Sequence, residues 1–155
     1  MKTILRNAED GEQRWFFGGG VLTWKVLAEE TDGAISVFED NLVRGKTTPL
    51  HSHPEHDEIM VVLEGELLAY ANGDPQTVRA GGVVVNPRGV PHAIVVISER
   101  ARVIAISTPG TKAEAFYRGA SIDAPDGAVD FSKVSAAAKA TGATVILGPS
   151  PFAKP

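Results

Sequence analysis

Gly45-Lys-Thr-Thr-Pro-Leu-His51-Ser-His53-Pro-Glu-His56-Asp-Glu58-Ile-Met-Val-Val-Leu-Glu-Gly65 is the stretch on which the fold turns. His51 and His53 are two positions apart. On an extended segment alternate side chains share a face, so both imidazoles can converge on one point. Glu58 follows a short polar connection and opens an apolar strand that ends at Glu64-Gly65. A neighbouring antiparallel strand could aim it at the same point. A third imidazole, His92, comes later in Gly81-Gly-Val-Val-Val-Asn-Pro87-Arg-Gly89-Val-Pro-His92, where two prolines fix the local direction. Bringing His92 beside the first pair requires the sheet to curl round, which a closed or two-sheet architecture supplies.

Outward from these blocks the chain reads as short strands between turns. Val21 to Ala28, Ala34 to Val43, Glu58 to Leu63, Glu66 to Ala71, Gln76 to Arg79, Val83 to Val85, His92 to Ile97 and Arg102 to Ser107 are the expected strands. Asn72-Gly73 signals a tight turn. Many short strands with frequent glycine and proline predict a sandwich or barrel. The C-terminal third differs. Thr111 to Arg118 is expected to be a helix capped by Thr111, with Glu114 completing a capping box. Ser132 to Ala140 is expected to be a second helix with a glycine stop at Gly142. Ser121 to Asp130 reads as a loop, and the proline-rich tail from Gly148 opposes regular structure.

The chain has 155 residues, 43% hydrophobic and 22% charged, which suits one folded domain over 1-155. The barrel core is expected over about 34-108 and a helical extension over about 111-155. A net charge of −4 without a basic stripe argues against nucleic acid. There are no cysteines, so disulfides and zinc-thiolate sites are excluded. No apolar run approaches the roughly 20 residues that span a bilayer, and the N-terminus lacks the apolar core of a signal peptide. A cytoplasmic protein is the expectation.

Three imidazoles and one carboxylate suit a divalent transition ion: iron, manganese, nickel, cobalt, copper or zinc. Four protein ligands on an octahedral ion leave two positions for water, dioxygen or substrate, as catalytic sites require.

The spacing Gly45-x5-His51-x-His53-x4-Glu58-x6-Gly65 resembles the first cupin motif. Gly81-x5-Pro87-x-Gly89-x2-His92 resembles the second. Fifteen residues, 66 to 80, separate the two. The asparagine with which the second motif often continues is Val96 here; it is not a metal ligand in the family. The resemblance implies an all-β fold, the cupin double-stranded β-helix or jelly-roll barrel, with short C-terminal helices. It implies His51, His53, Glu58 and His92 as ligands of one metal ion. Phe16-Phe17-Gly18-Gly19-Gly20, the histidine block and Phe116-Tyr117-Arg118 are similar to small quercetin dioxygenase-like cupins. That narrower likeness implies a metal-dependent dioxygenase of a small oxygen-rich or enolisable organic substrate, with Glu58 also taking a proton. Two alternatives stand beside it: a metal-dependent isomerase, epimerase or lyase, and a non-catalytic small-ligand-binding cupin. It also implies a homodimer, for which the apolar first 30 residues could supply the interface.

Other residues have plainer expectations. His56, between Glu55 and Asp57, is expected to be an exposed loop histidine. Trp15, Phe16, Phe17 and Trp24 are expected in the core or an interface. Phe116 and Tyr117 are expected to pack. Arg44 and Arg88 could meet an anionic substrate, although Arg88 is expected to be a solvent-facing turn residue. Gly18-Gly19-Gly20 lacks the Lys-Ser/Thr of a phosphate loop and reads as a flexible turn.

Overall fold

Alternation of apolar and polar residues along the strands builds two antiparallel sheets that face each other. The computed structural model describes residues 2–71, 73–123 and 129–152. The strands are β1 Gln13–Phe16, β2 Gly20–Val26, β3 Ser36–Val43, β4 Leu50–Ser52, β5 Asp57–Glu64, β6 Glu66–Ala71, β7 Asp74–Arg79, β8 Val83–Asn86, β9 His92–Val96, β10 Arg100–Thr108, β11 Ser121–Ile122 and β12 Val145–Gly148. The helices are α1 Thr111–Ala120 and α2 Phe131–Thr141. One sheet has the order β11-β1-β2-β3-β10-β5-β8, the other β12-β4-β9-β6-β7. This is a jelly roll, as the strand pattern and the motif spacing predict.

The inner faces follow the period of two. Along β10, Ala101, Val103, Ala105 and Ser107 are buried while their neighbours are only partly so. Along β5, Glu58, Met60 and Val62 point inward together. Leu42, Met60, Val62, Leu67, Val96 and Val103 fill the closed end of the barrel. The connection from β5 to β6, which crosses from the larger sheet to the smaller, turns at Gly65, with φ 79°, and a Cβ there would lie 2.2 Å from the Arg100 carbonyl oxygen. Only glycine accepts that approach.

The termini are parts of the barrel. β1 and β2 extend the larger sheet beyond β3. Trp24, 2% exposed, packs edge-on against Phe38 at 5.3 Å between ring centroids. Trp24 is therefore core and cannot serve an interface. β12, absent from the sequence expectations, pairs with β4 through Ile146↔His51. The C-terminal extension thus completes the smaller sheet, and α1 and α2 pack together on it through Phe116, Ala120, Val134 and Ala138.

Other local expectations need correction. The N-cap of α1 is Gly110, with no side-chain cap, so Thr111 begins the helix itself. The expected capping-box partner Glu114 instead accepts from the Ala28 amide at 2.6 Å and the Arg118 guanidinium at 2.8 Å. One distant partner and one on the next helical turn outcompete the local cap. The expected loop opens with strand β11, because β1 offers it a free edge; residues 124–128 lie outside the described residues. So do Asn72 of the expected Asn72-Gly73 turn and residues 153–155 of the tail.

Candidate metal centre

β4 and β9 are neighbours in the smaller sheet, and their register sets His51 directly opposite His92. His53 follows on the same face. One ring nitrogen from each of His51, His53 and His92 falls within 4.8 Å of the others, and all three residues are buried. Their orientation is fixed from behind. Nδ1 of His51 lies 2.9 Å from the Pro49 carbonyl, and Nδ1 of His92 lies 2.9 Å from the Val90 carbonyl. Nδ1 of His53 lies 3.2 Å from the Ala143 carbonyl and 3.2 Å from Thr144 Oγ1. A carbonyl only accepts, so in the neutral ring each Nδ1 carries the proton and each Nε2 keeps its lone pair. Nε2 of His53 and of His92 are buried without a hydrogen-bond partner. A buried acceptor without a donor is costly unless something fills its place. With the Nε2 of His51 beside these two, the three rings, each backed by a carbonyl, could hold one metal ion.

Glu58 reaches the centre from the opposite sheet, not from a neighbouring strand. Its Oε2 is 3.5 Å from His92 Nε2, and its Oε1 is 3.8 Å from His53 Nε2. Two donors orient the carboxylate. Asn86 Nδ2 donates to Oε2 at 3.1 Å, and the Tyr117 hydroxyl donates to Oε1 at 3.3 Å. Asn86 sits opposite Glu58 in the β5–β8 register. Asn86 was not singled out from the sequence. Asn86 directly precedes Pro87 of the second motif, which is a usable signal. Tyr117, expected only to pack, lies on α1 with no local signal for this contact.

The electrostatics follow from burial and proximity. Burial, reinforced by His92, pushes His51 down to about 4. Burial pushes His53 down to about 3. Both are neutral, as metal ligands must be. Burial opposes a charge on His92 as well, but approach to Glu58 and the Val90 carbonyl outweigh it and raise its pKa above 6.5. Burial alone would raise the Glu58 carboxyl. Contact with His92 and the electrostatic pull of the surrounding imidazoles overcome that and hold it well below the usual carboxylate range. Tyr117, buried and beside Glu58 and Asp40, is raised well above 10 and stays a neutral donor.

His56 corrects an expectation. It is 2% exposed rather than a surface loop residue. Its ring stacks on His53 with 4.3 Å between centroids and 26° between planes. Its flanking acids face outward instead: Glu55 pairs with Lys112 and Asp57 with Arg88. Arg88 is exposed, as expected, and Arg44 is exposed as well.

The centre opens into a cavity of about 60 Å³ between the sheets. His51, Glu58, His92 and Tyr117 form one part of its wall, and Asp40 and Lys46 contribute the other charged groups. The remainder is largely apolar, including Phe16, Phe38 and Ile94. A second space of about 50 Å³ lies toward α2 and shares Phe16, Lys46, His51 and Tyr117 with the first. Phe16, expected to be core or interface, thus lines the site.

With this geometry in place, comparison with known proteins shows what the chain resembles. The cupin domain model matches residues 39–107. That match and the two-sheet jelly roll give the chain a cupin-like fold. It is 27% identical over 116 residues to quercetin 2,3-dioxygenase of Bacillus subtilis, an alignment that covers 75% of this chain and 34% of that protein. The chain therefore spans about a third of the length of that relative. Among solved structures, KdgF from Halomonas sp. superposes with a TM-score of 0.63 at 19% identity, covering 72% of this chain and 99% of that one. An RmlC-like cupin from Shewanella frigidimarina gives 0.62 at 19% identity, covering 70% and 93%. At these identities the structural likenesses speak for the fold. No helix among the described residues is long and apolar enough to cross a membrane.

Proposed function

We propose that this protein is a metal-dependent dioxygenase of quercetin dioxygenase-like type, acting on a small oxygen-rich or enolisable organic substrate. His51, His53, Glu58 and His92 hold one divalent transition ion. The observation that carries this reading is the set of inward Nε2 lone pairs, each with its Nδ1 tied to a carbonyl, beside an ionised glutamate at a cavity wall. An ion bound there supplies Lewis acidity and, if redox-active, a meeting point for substrate and dioxygen. The chain supplies the rest. Carbonyl anchors keep the imidazoles neutral and pointed inward. Glu58 takes the proton of an enol or phenol, and Asn86 and Tyr117 hold the carboxylate in place for it. The apolar walls exclude water and fix the substrate's approach. The B. subtilis relative lends the oxygenase reading its support.

A second reading, metal-assisted proton transfer without dioxygen, draws on the cavity itself. At about 60 Å³ it is far below the roughly 300–1,000 Å³ of sites for drug-sized ligands. A flavonol-sized molecule enters only if the cavity wall, Phe16 included, gives way. Smaller enolisable compounds need no such movement.

The test begins with elemental analysis of protein purified without added metal. Oxygen uptake is then screened against enolisable substrates, with His51→Ala and His92→Ala as controls. Turnover that persists in metal-free protein rejects the metal-dependent reading. Turnover without oxygen consumption rejects the dioxygenase and leaves the proton-transfer reading.

A further inference from the structure

The cavity holds two charged groups that the metal centre does not use. Lys46, 4% exposed, follows β3. Its Nζ lies 4.6 Å from the Phe16 ring centroid and 5.4 Å from that of Phe17, and it donates to the Phe17 carbonyl. An ammonium has three donors, so the Phe17 bond leaves others available. Asp40 points inward from β3, on the face it shares with Phe38 and Leu42. Its Oδ1 is buried without a hydrogen-bond partner. Lys46 does not close that gap, for no salt bridge joins the two among the described residues.

The Gly18-Gly19-Gly20 tract, unexplained by the metal centre, frames both groups. A Cβ on Gly18 would lie 3.0 Å from Lys46 Cδ and 3.3 Å from its Nζ. A Cβ on Gly20 would lie 3.2 Å from Asp40 Oδ1. The outer glycines thus leave room for one charged side chain each. Burial raises Asp40 to about 6 and lowers Lys46 to about 8, so at neutral pH both are charged in a poorly solvated place. An unbonded pair of this kind weakens the fold and is retained where function needs it.

Resting on the reading of this cavity as the substrate site, we propose that Asp40 and Lys46 form a hydroxyl-recognition subsite. The substrate is then a small hydroxy-carbonyl compound, with its enolisable end at the histidines and its hydroxyl at this pair. A hydroxyl serves both groups at once: its hydrogen goes to Asp40 Oδ1 and its oxygen accepts from Lys46 Nζ. A carboxylate would suit Lys46 but meet the charges of Asp40 and Glu58. An amine would suit Asp40 but meet Lys46. A purely apolar group would leave both unsatisfied.

Hydroxyacetone and butanone are matched probes, since one carries a hydroxyl where the other has a methyl. Their binding is compared by calorimetry or ligand-observed NMR on zinc-loaded and chelator-treated protein. Wild type is expected to prefer hydroxyacetone about tenfold or more, the range for hydrogen bonds to charged groups. The preference should appear with and without zinc, and should fall to near parity in Asp40→Leu and Lys46→Met. Circular dichroism and melting curves check that these variants fold. Should one fail to fold, the wild-type comparison decides alone. Equal binding of both probes by wild type overturns the subsite, as does a preference that survives both substitutions. Zinc bound by the histidines without a hydroxyl preference sinks this inference only. A preference without zinc binding sinks the metal-dependent function and leaves the subsite standing.

Discussion

Asp40→Asn should stabilise this protein at neutral pH, even though it removes a charge from beside Lys46. Asp40 is raised from 3.8 to about 6, first by burial, partly offset by Lys46, and further by the charge of Glu58. A group whose pKa is higher in the folded state favours folding while protonated and loses that contribution as pH rises through its folded value. The wild type therefore carries no penalty from Asp40 below its unfolded value of 3.8 and the full penalty above about 6. That shift corresponds to about 3 kcal/mol, at 1.36 kcal/mol for each pH unit. The attraction of Lys46 is already contained in it. Asparagine has nearly the same shape and does not titrate, so the variant should gain up to about 3 kcal/mol at about pH 7 and almost nothing at about pH 4. Urea unfolding of both proteins at the two pH values, at matched metal content, measures the difference by linear extrapolation. Other carboxylates titrate alike in both and cancel. A variant no more stable than wild type at neutral pH, or an equal gain at both pH values, would refute the assignment of Asp40 as a buried, uncompensated charge.

Metal affinity should depend on pH through His92. Its raised pKa means that it must lose a proton to bind, whereas His51 and His53 are already neutral. Zinc titrations should show affinity falling about tenfold per pH unit once pH drops below the His92 value; a flat profile contradicts this. Tyr117→Phe removes one of the two donors to Glu58 and should weaken metal binding about 10- to 100-fold, the range for residues that orient a ligand. Tyr70→Phe serves as the comparison and should change nothing. Leu67, fully buried between the sheets, should cost about 2–5 kcal/mol as Leu67→Ala, read by chemical denaturation. The homodimer expected from the sequence has an apolar face available at the β8 edge, where Val83 and Val85 are 53% and 58% exposed. Sedimentation should give twice the chain mass for wild type and the chain mass for Val85→Asp; monomeric wild type removes the dimer.

Local sequence was informative wherever the physics is local. Short apolar runs between turn residues marked β5, β9 and β10, because each buries at least its inner face. His51 and His53 could be placed on one face by spacing alone. Glycine and proline marked the turns on either side of both blocks. The failures have a common cause. β11 and β12 are short and unremarkable in composition, and each forms only because an edge strand, β1 or β4, waits for it. The Thr111 cap failed because Glu114 found better partners 86 and 4 residues away in sequence. His56 was misplaced because its neighbours are charged, while its own ring is turned inward onto His53.

The sequence by itself determined the candidate ligand types, their spacing and the need for a curled sheet, since those depend on side-chain chemistry and strand periodicity. Tertiary structure alone decided that Glu58 approaches from the facing sheet, that Ala143 and Thr144 of the C-terminal segment steady His53, and that Tyr117 and Asn86 hold the glutamate. It also decided that Asp40 and Lys46 share the cavity with the histidines. These contacts join residues far apart in the chain, and no local pattern encodes them. They exist because burial between two sheets leaves each polar atom only the partners that packing brings within reach.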